Sequence, residues 1–295
     1  MGKSFSGHGV YTAIVTPFRE NGAIDWTSLE KLVAFGINGG IDGIVVCGTT
    51  GEAPTLTDEE QQQVLESVVR WAAGQVSVIA GTGTYCTKHT IERSKRAADA
   101  GADALLIVTP YYNKPTQIGL QLHYEAIDKS LSLPIIIYNI KGRTGVNLET
   151  ATLLRILDTC ENVCGVKDSS GDLKQIEAVI SSTPADFAVL SGDDPVTFDL
   201  MRLGGDGVVS VASNIIPKVV VELVAAARHG NIAQAAAIHE RYQTFFKGIF
   251  LETNPLPIKT ALAARGYCQE VFRLPLCEMQ EKFRDELLKL VGEFC

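Results

Sequence analysis

Long apolar runs, excess positive charge and histidine are what this chain has little of, and each shortage excludes something. No uninterrupted apolar stretch reaches the ~18 residues of a membrane-spanning helix, so no span is expected. Residues Met1–Gly9 lack the apolar segment of a secretory signal, so none is expected there. Lysine and arginine total 26 against 34 aspartates and glutamates, a net charge of -8. With no basic stripe to neutralise phosphates, nucleic acid is a poor partner. No polar tract is long enough to suggest a disordered chain. The seven cysteines (Cys47, Cys86, Cys160, Cys164, Cys268, Cys277 and Cys295) are odd in number and widely spaced. That pattern argues against a disulfide framework and for a reducing compartment, so a cytoplasmic location is expected. Cys160 and Cys164 form the only close pair, and no histidine stands nearby to complete a zinc site.

What is present is an ordinary globular composition, with 46% apolar and 20% charged residues in 295. That length suits one large α/β barrel or two small domains. β-rich runs alternate with helical patterns eight times between about residues 10 and 230. The strands are expected at Val10–Thr16, Gly43–Cys47, Val76–Ala80, Ala104–Thr109, Pro134–Asn139, Val163–Lys167, Phe187–Ser191 and Gly207–Val211. Runs such as Ile135–Ile137 and Ala104–Val108 are continuously apolar, which means both faces of the strand are buried under helices, as in a parallel sheet. Thr57 and Glu60 have the spacing of a capping box at a helix start. Eight such units close into a (β/α)8 barrel, so residues 1–230 are assigned to a TIM-type barrel. An open doubly wound sheet is the competitor, but Gly81-Thr-Gly83 lacks the third glycine of a dinucleotide fingerprint. Residues 231–295 read as a helical extension, with helices at Ile232–Phe245, Pro257–Arg265 and Leu276–Val291; Met279, Phe283, Leu287 and Val291 share one stripe of the last.

In a barrel the chemistry sits at the C-terminal ends of the strands. Lys167 emerges there from an apolar strand. An ordinary lysine is neutral in only about one molecule in a few thousand at pH 7, and apolar surroundings disfavour the ammonium, freeing an amine to attack a carbonyl. The bland alternative is a lysine that snorkels or pairs with Asp168. Tyr138 has the same placement one strand earlier and can pass a proton if other hydroxyls relay it; Thr49, Thr50 and Tyr112 supply hydroxyls from neighbouring strand ends. Each has a structural alternative, as a turn threonine or a packed tyrosine with a wet hydroxyl. The turn Gly48-Thr-Thr-Gly51 offers backbone N–H groups to an anion, and Arg143 offers a fork for a second carboxylate. The histidines His8, His89, His123, His229 and His239 fall away from the strand ends, so no metal and no other cofactor is expected. These residues point to metal-free amine chemistry on a small carboxylated carbonyl compound.

The chain resembles the pyruvate-dependent class I aldolases of the dihydrodipicolinate synthase and N-acetylneuraminate lyase family. Gly48-Thr-Thr-Gly-Glu52, Thr109-Pro-Tyr-Tyr-Asn113, Tyr138-Asn139, Gly165-Val-Lys-Asp168, Ser191-Gly-Asp-Asp194, Gly204-Gly-Asp-Gly-Val208 and Asn254-Pro-Leu-Pro-Ile-Lys259 carry the resemblance in family order, from about Gly9 to beyond Pro275. It implies a Schiff base between Lys167 and pyruvate, with Tyr138 as general acid/base. It implies a hydroxyl relay through Thr49 and Tyr112, the latter reaching into a neighbouring subunit. It places the pyruvate carboxylate on Thr50, lines the pocket with Gly48 and the Val209 carbonyl, and implies a homotetramer built as a dimer of dimers. Arg143-Thr-Gly145 resembles the synthase branch, which implies condensation of pyruvate with L-aspartate 4-semialdehyde in the diaminopimelate and lysine pathway. The rivals are another pyruvate-dependent aldolase acting on a keto sugar acid, sialate or 4-hydroxy-2-oxoglutarate, and a non-catalytic keto-acid sensor. Tyr85 and His89 stand where lysine-inhibited relatives carry Asn and Glu, and Asp58 and Gln61 where they carry histidines, so weak or absent inhibition by lysine is expected. Lys141 replaces a proline of many relatives, with no physical account.

Overall fold

The computed structural model describes residues 5–295, so the first four residues of the expected barrel region lie outside it. The order of elements is β1 (Gly9–Ala13), α1 (Trp26–Asn38), β2 (Gly43–Val46), α2 (Asp58–Ala72), β3 (Ser77–Gly81), α3 (Thr87–Asp99), β4 (Ala104–Val108), α4 (Gln117–Asp128), β5 (Ile135–Asn139), α5 (Lys141–Thr144), α6 (Thr150–Leu157), β6 (Val163–Asp168), α7 (Leu173–Ser182), β7 (Ala188–Ser191), α8 (Thr197–Arg202), β8 (Gly207–Ser210) and α9 (Pro217–Arg228), followed by α10 (Ile232–Gly248), α11 (Leu256–Ala264) and α12 (Glu281–Phe294). The strands pair in parallel in chain order, and β8 returns to β1, closing an eight-stranded barrel.

Alternation along each strand builds two apolar layers. Tyr11, Val45, Ile79, Leu106, Ile136 and Leu190 fill the lumen. The opposite strand faces, with Val10, Ile44, Ile107 and Ile137 among them, pack under the helices. This double burial is what the continuous apolar runs required. Local signals start the helices. The Thr57 hydroxyl accepts from the Glu60 N–H at 3.2 Å while the Glu60 carboxylate accepts from the Thr57 N–H at 3.0 Å, the reciprocal capping expected from sequence. Asp172 caps α7 by accepting from the Lys174 and Gln175 N–H groups.

Several boundaries differ from expectation, for tertiary reasons. β1 stops at Ala13 rather than Thr16, because the Val15 N–H donates to the Asn214 side chain and the Thr16 hydroxyl to the Gly51 carbonyl. Between β7 and α8 the chain forms a 3-10 turn at Asp194–Val196. The last helix begins at Glu281, not Leu276: Met279 is buried with Leu287 and Val291 but precedes the helix. The Gln280 N–H and side-chain amide both donate to the Glu252 carboxylate, so a contact with the connection between α10 and α11 sets the entry to α12.

Candidate active site

The C-terminal mouth of the barrel holds a cavity of about 390 Å³. Gly48, Thr49, Tyr111, Tyr138, Arg143 and Thr144 are among its walls. β5 and β6 bring the first two candidates together: Tyr138 and Lys167 are register partners on adjacent strands, both buried in the lumen. The Lys167 Nζ lies 4.1 Å from the centre of the Tyr138 ring. Asp168 follows Lys167 in the strand and therefore points the other way. Its carboxylate accepts from the Ser170 N–H at 2.8 Å and the Ser170 hydroxyl at 2.6 Å, so it does not pair with Lys167. A Cβ added at Gly192 would sit 2.9 Å from the Lys167 Cε and 1.9 Å from the Ser169 Oγ, so only glycine leaves the lysine this path. Asp193 adjoins it. Burial pushes the Asp193 carboxyl up to about 6, and the Lys167 charge pulls against that rise. Asp194 is fully engaged, accepting from the Ser210 hydroxyl and from the Val211 and Ala212 N–H groups.

The turn after β2 is tighter than its sequence suggests. The Gly51 and Glu52 N–H groups donate back to the Gly48 and Thr49 carbonyls, both at 3.1 Å, so they are not free for an anion. Thr49 faces the cavity, while Thr50 is buried and its hydroxyl accepts from the Asn254 side chain at 2.9 Å. Arg143, on the single turn α5, donates from Nη2 to the Asn254 carbonyl at 2.9 Å. Nε and Nη1 have no acceptor among the described residues.

Two candidates lie apart from this cluster. Tyr112 is 91% exposed, with a left-handed φ of 70°, and is not part of the cavity wall. Its neighbour Tyr111 takes that place, edge-on to Tyr85. Val209 is fully buried among the lumen side chains and does not line the cavity. Sequence reasoning gave no role to Asn254, Glu52 or Lys259. Lys259 Nζ bonds the Glu52 carboxylate with both side chains wholly buried, and lies 4.1 Å from the Phe18 ring centre. The Arg273 N–H also donates to Glu52, at 3.3 Å. Segments from both ends of α11 thus brace the turn that carries Thr49 and Thr50. The only sequence signal for this was the Asn254–Lys259 motif, whose partners are distant in the chain.

Fold and site define a class: a closed parallel α/β barrel with a buried lysine at its C-terminal mouth. A model of the dihydrodipicolinate synthetase family matches residues 6–293, and the chain belongs to that family. It is 46% identical over 288 residues to the 4-hydroxy-tetrahydrodipicolinate synthase of Protochlamydia amoebophila, covering 97% of this chain and 96% of that one. Among solved structures, dihydrodipicolinate synthase from Aquifex aeolicus is similar with a TM-score of 0.95 and 42% identity, covering 97% of this chain and 98% of the other. The enzyme of that name from Thermotoga maritima gives 0.96 and 42%, covering 98% and 99%.

Proposed function

We propose that this enzyme condenses pyruvate with L-aspartate 4-semialdehyde to give 4-hydroxy-tetrahydrodipicolinate, the chemistry that opens the diaminopimelate and lysine pathway. The single observation that carries the mechanism is the Lys167 amine held at the face of Tyr138 beside a cavity whose wall includes Arg143. Lys167 Nζ adds to the pyruvate keto carbon, and water leaves as the imine forms. A methyl proton is then lost, and the resulting enamine carbon attacks the aldehyde. Tyr138 exchanges protons with the reacting oxygens, and Thr49 continues the relay. Cyclisation passes the imine carbon from the Lys167 nitrogen to the amine of the semialdehyde, releasing the enzyme. Thr50 and the Gly48 turn hold the pyruvate carboxylate, and Arg143 takes the second carboxylate.

The working assembly is a homotetramer, a dimer of dimers, in which Tyr112 completes the relay of a neighbouring subunit. Its exposure supports this, together with exposed Tyr85, Ile118 and Leu122 on the adjoining connections and α4. No helix is long and apolar enough to cross a membrane among the described residues, and a cytoplasmic enzyme is the reading we adopt. A coupled assay with pyruvate and the semialdehyde tests the activity. Turnover is expected; no turnover, with cleavage of a keto sugar acid instead, would transfer the chain to another aldolase branch. Failure of both would favour a keto-acid sensor.

A further inference from the structure

We propose that Asn254 is a positioning residue for pyruvate, setting which way the Thr50 hydroxyl points its single proton. The inference rests on the functional reading above, in which Thr50 holds the pyruvate carboxylate. A threonine hydroxyl has one proton and two lone pairs. Bound pyruvate presents only acceptor oxygens at its carboxylate, so Thr50 must donate. The Asn254 Nδ2 donates to the Thr50 Oγ1 at 2.9 Å and occupies a lone pair, which leaves the hydroxyl proton to be given elsewhere. Thr50 is 3% exposed and Asn254 8% exposed, so water competes little for this bond.

A second observation points the same way. The Asn254 Oδ1 is buried and has no partner among the described residues. A buried carbonyl oxygen left unpaired lowers stability, and such an orphan in a native structure calls for a functional explanation. A purely structural asparagine here would be better replaced by an apolar side chain. The role of the amide is to polarise Thr50 through its N–H. The same residue meets the other substrate site by a different route: its backbone carbonyl accepts from the Arg143 Nη2 at 2.9 Å, and the Thr253 hydroxyl lies 3.3 Å from the same nitrogen. Asn254 therefore spans the two carboxylate binders, Thr50 through its side chain and Arg143 through its backbone.

This division predicts a split between the two substrates. Asn254→Ala removes the side chain and keeps the carbonyl. The KM for pyruvate should rise roughly 5- to 20-fold, the scale of a weakened hydrogen bond to a charged group. The KM for the semialdehyde and kcat should stay within about twofold to threefold. Asn254→Asp keeps the shape but accepts the Thr50 proton, so its KM for pyruvate should rise further, by roughly 100-fold. Because the effect runs through Thr50, Asn254→Ala should add nothing to a Thr50→Ala background. Additive increments, an equal rise in both KM values, or an unchanged KM for pyruvate would overturn the proposal. The isosteric Asp variant secures the test if the alanine variant fails to fold. Borohydride trapping of pyruvate on the unsubstituted protein separates the two levels. No trapping there overturns the functional reading and this inference with it; normal trapping with unaltered Asn254 variants overturns this inference alone.

Discussion

Replacing Lys259 by methionine should unsettle the barrel mouth from a position outside the cavity wall. The Lys259–Glu52 pair has no exposure at either side chain. Burial pulls the Lys259 ammonium below its ordinary value, and the Glu52 carboxylate opposes that pull. Lys259→Met keeps an unbranched apolar side chain but deletes the ammonium, and with it the contacts of Nζ with the Phe18 and Phe272 rings. Glu52 is then left buried with only the Arg273 N–H at 3.3 Å. Stranding one member of such a pair costs about 3–5 kcal/mol. For 295 residues, an unfolding entropy of about 2 cal/mol/K per residue gives roughly 0.6 kcal/mol/K. The melting temperature should therefore fall by roughly 5–8 °C. Adding Glu52→Gln removes the stranded charge and should restore most of the loss. Differential scanning calorimetry on the two single variants and the double variant makes the comparison. A fall below about 1 °C for Lys259→Met, or a double variant as unstable as Lys259→Met, would refute the reasoning.

Asp193 supplies a pH dependence with a defined sign. Its folded carboxyl sits at about 6, pushed up by burial, against about 4 in an unfolded chain. The folded state therefore binds the extra proton between those values, and stability falls as pH rises through that window. Asp193→Asn should flatten that slope in denaturant titrations run between pH 4 and 6.5; an unchanged slope would assign the proton elsewhere. Thiol labelling of the native protein should modify exposed Cys277 first and Cys47 last, since Cys47 is buried and its thiol is pushed up to about 12. Mass spectrometry showing early Cys47 labelling would contradict this. Free lysine should inhibit weakly or not at all, because exposed Tyr85 and His89 offer its amine no carboxylate. Half-inhibition at micromolar lysine would sink that expectation.

How much was legible in the sequence follows from the range of the forces involved. Strands buried on both faces must be continuously apolar, so Ile135–Ile137 and Ala104–Val108 announced the parallel barrel directly. Thr57 and Glu60 act within one helical turn, so their capping box was equally readable. Lys167 was legible as a candidate because it ends an apolar strand. Alternation within that strand then turns Asp168 outward, which removes the ion pair as an explanation. The start of α12 was misplaced because Met279 keeps helical spacing while the chain enters the helix only after Gln280 is bound by Glu252, 28 residues away. The bracing of the Thr49–Thr50 turn was hidden for the same reason: Asn254 meets Thr50 across 204 residues and Lys259 meets Glu52 across 207. Tyr112 sits at a strand end by sequence count, but its left-handed backbone turns the ring to solvent and leaves Tyr111 facing the cavity.

The central claim is that Lys167 forms a covalent imine with pyruvate. Incubation with pyruvate and borohydride, followed by peptide mass spectrometry, tests it most directly. The account predicts one reduced pyruvate adduct per chain, on Lys167, and none in Lys167→Ala. A protein that traps no pyruvate, or carries the adduct on another lysine, would contradict it.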